Sequence, residues 1–300
     1  MHTAAVIDLG TNTFHLLIAR KEQDGSYTEL FRERRFVKLG ENGVERIGAA
    51  PYARGIDTLL HFKTILQEKK VENVRVFGTA ALRTAENGTA FTAEVKAKTD
   101  LDISLISGEE EARLICIGVR RAVPFSLEKM LIMDIGGGSV EFIIADEKEI
   151  YAAQSFPIGV SVLRNKFHKS DPISPEEIQA VQMHLAETLA PVRDMLRAHP
   201  VRTLIGASGT FDVLENIVCG EAVTGLYSEF ATEKFYPIYD KFLQTTLQER
   251  LNMPGLPADR ADMIIAALIL IDYVLKIAKI ENITVSAYAM KEGMLAEMQV

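Results

Sequence analysis

The chain has 300 residues, 48% of them hydrophobic and 25% charged, with a net charge of −8. That is ample apolar material for more than one packed core, so two domains are expected. The acidic balance argues against a nucleic-acid partner, because binding a polyanion by counterion release needs a broad basic face. The opening MHTAAVIDLG has no basic stretch ahead of its first aspartate, so a secretory leader is not expected and a cytoplasmic location is. The longest apolar run, MIIAALILI at 263–271, lies between Asp262 and Asp272 and is about half the length a bilayer requires. It reads as a buried helix, and no membrane partner is expected. Cys116 and Cys219 lie in apolar stretches without ligand-spaced neighbours and read as buried, reduced thiols. The basic clusters RERR (32–35) and VRR (119–121) read as solvated surface.

In chain order, AAVIDLG, TFHLLIARK and TELFRERRFVKL are rich in β-branched and aromatic residues, the last two separated by the turn signal QDGS. They predict a three-stranded antiparallel opening. Residues 51–69 carry apolar positions near helical spacing, and VRVFGTAAL reads as a strand followed by a loop. A helix over about 85–98, the strand DISLIS and the helix EEEARLICIGVRRAV complete the first half. The pattern then starts again with the strands KMLIMDIG, VEFIIAD and YAAQSFPI and a helix near 159–167. One long helix is predicted from the cap-like Ser174-Pro175-Glu176-Glu177 to about 198. TLIGASGT is a strand ending in a glycine turn, two or three helices run to Lys279, and NITVSAYAMKEGML gives a last strand and helix.

The two halves share more than an order of elements. DLGTNTFHLLIA at 8–19 aligns with DIGGGSVEFIIA at 134–145 at a constant offset of 126 (134 − 8 and 139 − 13). Duplicated β-β-β-α-β-α units predict two α/β domains of mixed sheet, at 1–121 and 122–286. A C-terminal helix over about 287–300 packs back on the first, and an interdomain cleft is the expected ligand site.

Glycine lets backbone N–H groups converge on an anion without side-chain clash, and such nests bind phosphate. Three turns qualify: GTNT at 10–13, GGGS at 136–139 and GASGT at 206–210. Their candidate phosphate ligands are Thr11, Asn12, Thr13, Gly136, Gly137, Gly138, Ser139, Ser208, Gly209 and Thr210. Two of the turns follow an aspartate at a strand terminus, so Asp8, Asp134 and Glu141 are candidates to hold Mg²⁺ or Mn²⁺ against phosphate oxygens. The alternative for Glu141 is a solvated strand carboxylate. Neither a Walker A sequence nor GxGxxG occurs.

With DLGTNTFHLLI, GTAALRTAENG, ISGEEEARLICIGV, DIGGGSVEF, FPIGVSVL, GASGT, ADRADMIIAALIL and VSAYAMKEGML in order, the chain resembles the Ppx/GppA phosphatase family over nearly its whole length. The resemblance implies two ribonuclease H-like domains of the actin, hexokinase and sugar-kinase superfamily. It implies Mg²⁺-dependent release of terminal phosphate from inorganic polyphosphate, or of the 5′-γ-phosphate of guanosine pentaphosphate, the stringent-response nucleotide. It is also compatible with a homodimer. Val140, Ala267, Ala287 and Ala289 depart from the threonine, glycine, aspartate and glycine that the family pattern leads one to expect, and all four lie outside the phosphate turns. Longer members carry a further C-terminal helical region, so this short form is expected to favour short polyphosphates or the nucleotide.

Hydrolysis needs a group to take a proton from water. Among Glu109, Glu110 and Glu111, helical spacing puts Glu109 on the face of Arg113 and Glu111 on that of Ile115 and Gly118, pointing inward. The alternative is that all three simply favour a helix N-terminus. By motif, the family's catalytic glutamate falls on Glu111, with Glu141 beside Asp134 organising metal and water. The resemblance also makes Arg83 a phosphate ligand, against the reading of an exposed surface arginine. His15 reads as structural. A small-molecule kinase of the same superfamily and a non-catalytic alarmone-binding sensor are the rival readings.

Overall fold

The computed structural model describes residues 3–22, 26–41, 43–220 and 225–298. The chain divides into two compact units, one running to Gly118 and resuming at Met290, the other spanning Val119–Ala289. In the first unit the alternating apolar positions of TAAVIDL and TFHLLIARK form β1 (Thr3–Leu9) and β2 (Thr13–Lys21), followed by β3 (Tyr27–Phe36). The residues 23–25 of the QDGS turn signal lie outside the described residues. Then come α1 (Ala49–Glu68), β4 (Asn73–Gly78), α2 (Ala80–Thr84), α3 (Gly88–Thr99), β5 (Ile103–Leu105) and α4 (Gly108–Ala122). The sheet order is β3-β2-β1-β4-β5. The first three strands are antiparallel, while β4 and β5 run parallel to β1. Phe14, Leu16, Phe62 and Phe91 fill the core between sheet and helices.

The second unit repeats this plan with β6 (Met130–Ile135), β7 (Val140–Ala145) and β8 (Ile150–Phe156). Next are α5 (Val160–Phe167), α6 (Pro175–Thr188), α7 (Ala190–Ala198), β9 (Thr203–Ala207) and α8 (Gly209–Cys219). β10 (Tyr227–Ala231), α9 (Phe235–Leu243), α10 (Leu247–Leu251), α11 (Ile264–Ala278) and β11 (Asn282–Ser286) complete it. Its sheet order is β10-β11-β9-β6-β7-β8, with β9 parallel to β6 and β11 parallel to β9. Apart from the added antiparallel edge strand β10, this is the order of the first sheet, and both are ribonuclease H-like. The duplication extends to defects: β2 slips register between Ile18 and Ala19, and β7 between Ile144 and Ala145, the equivalent positions. A last helix, α12 (Met290–Ala296), packs on β1 in the first unit. Its approach to α4 requires glycine at 293, where a Cβ would lie 1.9 Å from the Leu114 carbonyl oxygen. No helix among the described residues is long and apolar enough to cross a membrane.

Several sequence expectations are corrected. The predicted long helix is two, α6 and α7, broken at Leu189; Pro191 has no N–H to continue the ladder. The capping box at its start is present, with Ser174 Oγ accepting from the Glu177 N–H at 3.2 Å and the Glu177 carboxylate accepting from the Ser174 N–H at 3.0 Å. Arg83 lies on the short helix α2 rather than in a loop, and the helix predicted over 85–98 starts three residues later, at Gly88. β10 has no counterpart in the sequence reading, because this five-residue edge strand buries only Phe230. Cys116 is buried but Cys219 is partly exposed. Val140, Ala267 and Ala289, three of the four departures from the family pattern, are buried packing positions.

Candidate active site

The two hairpin turns have the same closing geometry. The Gly10 N–H donates to the Thr13 carbonyl at 3.0 Å, and the Gly136 N–H donates to the Ser139 carbonyl at 3.0 Å. In the first turn the Asn12 carbonyl accepts from the N–H groups of Val37 and Lys38, both at 2.9 Å, and the Thr11 methyl packs on Gly40. The second turn is braced from behind by the start of α5. The N–H groups of Gly159, Val160 and Ser161 donate to the carbonyls of Gly138, Gly136 and Gly137 at 3.1, 3.0 and 3.0 Å. In a trans peptide the C=O and the following N–H point in opposite directions. With three consecutive carbonyls turned toward α5, the N–H groups of Gly137, Gly138 and Ser139 face the other way, the arrangement that an anion-binding nest requires.

The third turn is of another kind. Ser208 follows β9 with φ 69° and ψ 173°, a positive-φ conformation that a non-glycine residue adopts only under constraint, and α8 begins at Gly209. GASGT is therefore a strand-to-helix junction that presents a helix N-terminus, the usual seat for a phosphate oxygen. It lies beside the second hairpin, because Asp134 pairs in register with Ala207. In the first unit the corresponding junction is β4 to α2: the Thr79 N–H donates to the Leu9 carbonyl at 3.3 Å and Arg83 follows one turn later. The Arg260 guanidinium lies directly over Gly209, where a Cβ would come within 1.9 Å of it. Arg260 stands in ADRADM and is not among the site residues expected from the sequence; an arginine between two aspartates was the available signal.

Strand register separates the two hairpins chemically. Asp8 faces His15 across β1 and β2, and His15 faces Arg34 across β2 and β3. The equivalent row in the second unit is Asp134, Glu141 and Ser155. Directly opposed residues of antiparallel strands share a face, so each row is contiguous. One row follows its aspartate with a histidine and an arginine; the other follows it with a second carboxylate and a serine. Asp134 is 7% exposed and Glu141 1%, and Ser155 Oγ donates to Glu141 Oε1 at 2.7 Å. Adjacent carboxylates in a nearly dry site repel unless a proton or a cation lies between them. This all-oxygen donor pair fits Mg²⁺ or Mn²⁺. Among the described residues no group of three or more His, Cys, Asp and Glu is arranged to hold a metal, so water and phosphate oxygens would complete the shell. The register also gives His15, read as structural in the sequence, the place that Glu141 holds in the second unit.

The glutamates of α4 diverge as their positions on the helix require. Glu109 is exposed, while Glu111 is 8% exposed. Arg113 pairs with Glu110 at 2.7 Å and with Glu297 of the C-terminal segment, rather than with Glu109 as helical spacing suggested. The i,i+3 geometry and a second carboxylate at Glu297 decide the partner. Arg83, half-buried, donates from Nη1 to the Ile106 carbonyl at 2.6 Å and lies 3.5 Å from Glu111 Oε2. The first unit thus brings together two of the predicted site residues, which are 28 positions apart. The RERR cluster is engaged in ion pairs, Arg32 with Glu29 and Glu292 and Arg35 with Glu33.

Residues 17–299 match the Ppx/GppA phosphatase family. The chain belongs to that family. A guanosine-5′-triphosphate,3′-diphosphate pyrophosphatase from Photobacterium profundum is 33% identical over 296 residues, covering 98% of this chain and 59% of that protein. This Ppx/GppA chain therefore spans less than two thirds of that relative. The crystal structure of an exopolyphosphatase from Cytophaga hutchinsonii ATCC 33406 superposes with a TM-score of 0.94 at 37% identity, covering 98% of this chain and 96% of the other. The Aquifex aeolicus Ppx/GppA family member gives a TM-score of 0.82 at 25% identity, with 98% and 96% covered.

Proposed function

We propose that this protein is a phosphohydrolase that releases terminal phosphate from inorganic polyphosphate, or the 5′-γ-phosphate from guanosine pentaphosphate. The observation that carries the reading is the Asp134–Glu141 pair beside the Gly137–Ser139 nest, which sets oxygen donors for a cation next to amides for an anion. Asp134 and Glu141 would hold Mg²⁺ or Mn²⁺, which when bound supplies charge neutralisation to the phosphate oxygens. The N–H groups of Gly137, Gly138 and Ser139 take up charge on the transferred phosphoryl group. Glu111 accepts the proton of the attacking water, and Arg83 moves its guanidinium between Glu111 and the substrate phosphates. Thr11, Asn12 and Thr13, and Ser208, Gly209 and Thr210 with Arg260, serve the remaining phosphates, and Asp8 is a further oxygen donor for the cation.

The test is phosphate release measured side by side on polyphosphates of graded length, guanosine pentaphosphate and ATP, with Mg²⁺ or Mn²⁺ and with excess chelator. Metal-dependent release from polyphosphate or the pentaphosphate, exceeding that from ATP, is expected. Binding of these substrates without turnover would favour the sensor. Turnover of ATP alone, or full activity in chelator, would refute the proposal.

A further inference from the structure

We infer that Ser155 is a positioning residue: its hydroxyl fixes the Glu141 carboxylate so that this group and Asp134 form one preset cation site. The inference rests on the metal-assisted reading above and assigns to it a residue outside the glycine turns and acidic motifs. Ser155 is the register partner of Glu141 on β8, and its Oγ donates to Glu141 Oε1 at 2.7 Å. A glutamate has three side-chain torsions, and at 1% exposure water cannot be what orients this one. A hydrogen bond to one carboxylate oxygen sets the plane of the group and directs the other oxygen.

The choice of a neutral donor matters. In the duplicated row the same strand position is Arg34, an exposed cation whose guanidinium lies over the Phe36 ring, 4.9 Å from its centroid. A cation at 155 would compete with a metal for the two carboxylates; a hydroxyl orients Glu141 and leaves the negative charge of the row in place. Ser155 is itself held firmly. Phe156, next in the strand, packs edge-on against Phe142 with ring centroids 5.7 Å apart. A few residues on, Gly159, Val160 and Ser161 donate to the carbonyls of the GGGS turn. One short segment, 155–161, therefore holds both the carboxylate and the phosphate nest, and couples the geometry of the two.

The experiment is calorimetric titration of the full-length protein with Mn²⁺ alone, together with steady-state kinetics, for wild type, S155A, S155T and S155C. S155A is expected to lose about 10-fold in Mn²⁺ affinity and about 10-fold in kcat, with KM within about twofold, because removing an outer-shell partner typically costs 10–100-fold. S155T keeps the hydroxyl on a half-buried strand position and should bind Mn²⁺ within about twofold of wild type, whereas S155C, a weak donor of similar size, should fall with S155A. If S155A does not fold, the Thr and Cys variants decide the matter. Equal Mn²⁺ affinity in S155C, or in a folded S155A with only its melting temperature lowered, would overturn the inference and leave the metal-assisted reading standing. Failure of the wild type to bind Mn²⁺ would remove that reading and the inference with it.

Discussion

Glu111→Gln is expected to lower turnover by about 10² or more while substrate affinity stays within about twofold, because the amide keeps the shape of the side chain but cannot accept the proton of water. The carboxylate lies in the first turn of α4, 8% exposed, with Arg83 Nη1 3.5 Å away. Its neighbours are natural controls. Glu109 is exposed, and Glu110 is held in a two-point contact by Arg113, with distances of 2.7 and 2.7 Å. Glu109→Gln should be near neutral, and Glu110→Gln should affect stability more than rate, since partly exposed ion pairs contribute about 1 kcal/mol or less. Steady-state kinetics with calorimetric binding separates these outcomes. Equal loss of kcat in Glu110→Gln and Glu111→Gln would remove the reason for singling out Glu111.

Gly159→Ala is expected to raise KM about 10-fold or more and to destabilise the second unit by about 1–3 kcal/mol, the range for an added methyl with no room. The added Cβ would lie 2.4 Å from the carbonyl carbon and oxygen of Gly137 and 2.5 Å from the Gly138 nitrogen. These are backbone atoms, so no side chain can swing away. Backbone conformation is not the reason for glycine here, because φ is −59° and suits any residue. Relief requires the start of α5 to withdraw, which loosens the three hydrogen bonds that turn the GGGS amides outward. Thermal melting and substrate KM, measured on the same preparation, report the two effects. An unchanged KM in a folded but destabilised variant would show that the turn is structural only.

The duplication was legible because it is written in residue identity: Asp8, Gly10 and Thr13 match Asp134, Gly136 and Ser139 at one offset. Both sheets accordingly share one order of five strands, to which the second adds β10 at its edge. What escaped the sequence depends on pairing across strands or on distant packing. Ser155 is 14 positions from Glu141, and only the register of β7 on β8 puts its hydroxyl on that carboxylate. Arg260 reaches Gly209 through the packing of the segment before α11, which no local period reveals. The contrast between His15 and Glu141 was visible in the aligned halves, but its chemical meaning came from their facing Asp8 and Asp134. Helix boundaries failed for local reasons: Pro191 divides α6 from α7, and the five residues of α2 are too few to show a period.

The most direct test of hydrolysis against transfer to a hydroxyl acceptor is turnover of polyphosphate and guanosine pentaphosphate in heavy-oxygen water, with Mg²⁺ present and the released orthophosphate analysed by mass spectrometry. A water activated by Glu111 predicts that each orthophosphate released in the wild-type reaction carries one solvent oxygen, and that formation of the labelled product falls about 10²-fold or more in Glu111→Gln. Unlabelled orthophosphate, or phosphate recovered on an added hydroxyl compound in its place, would contradict the account.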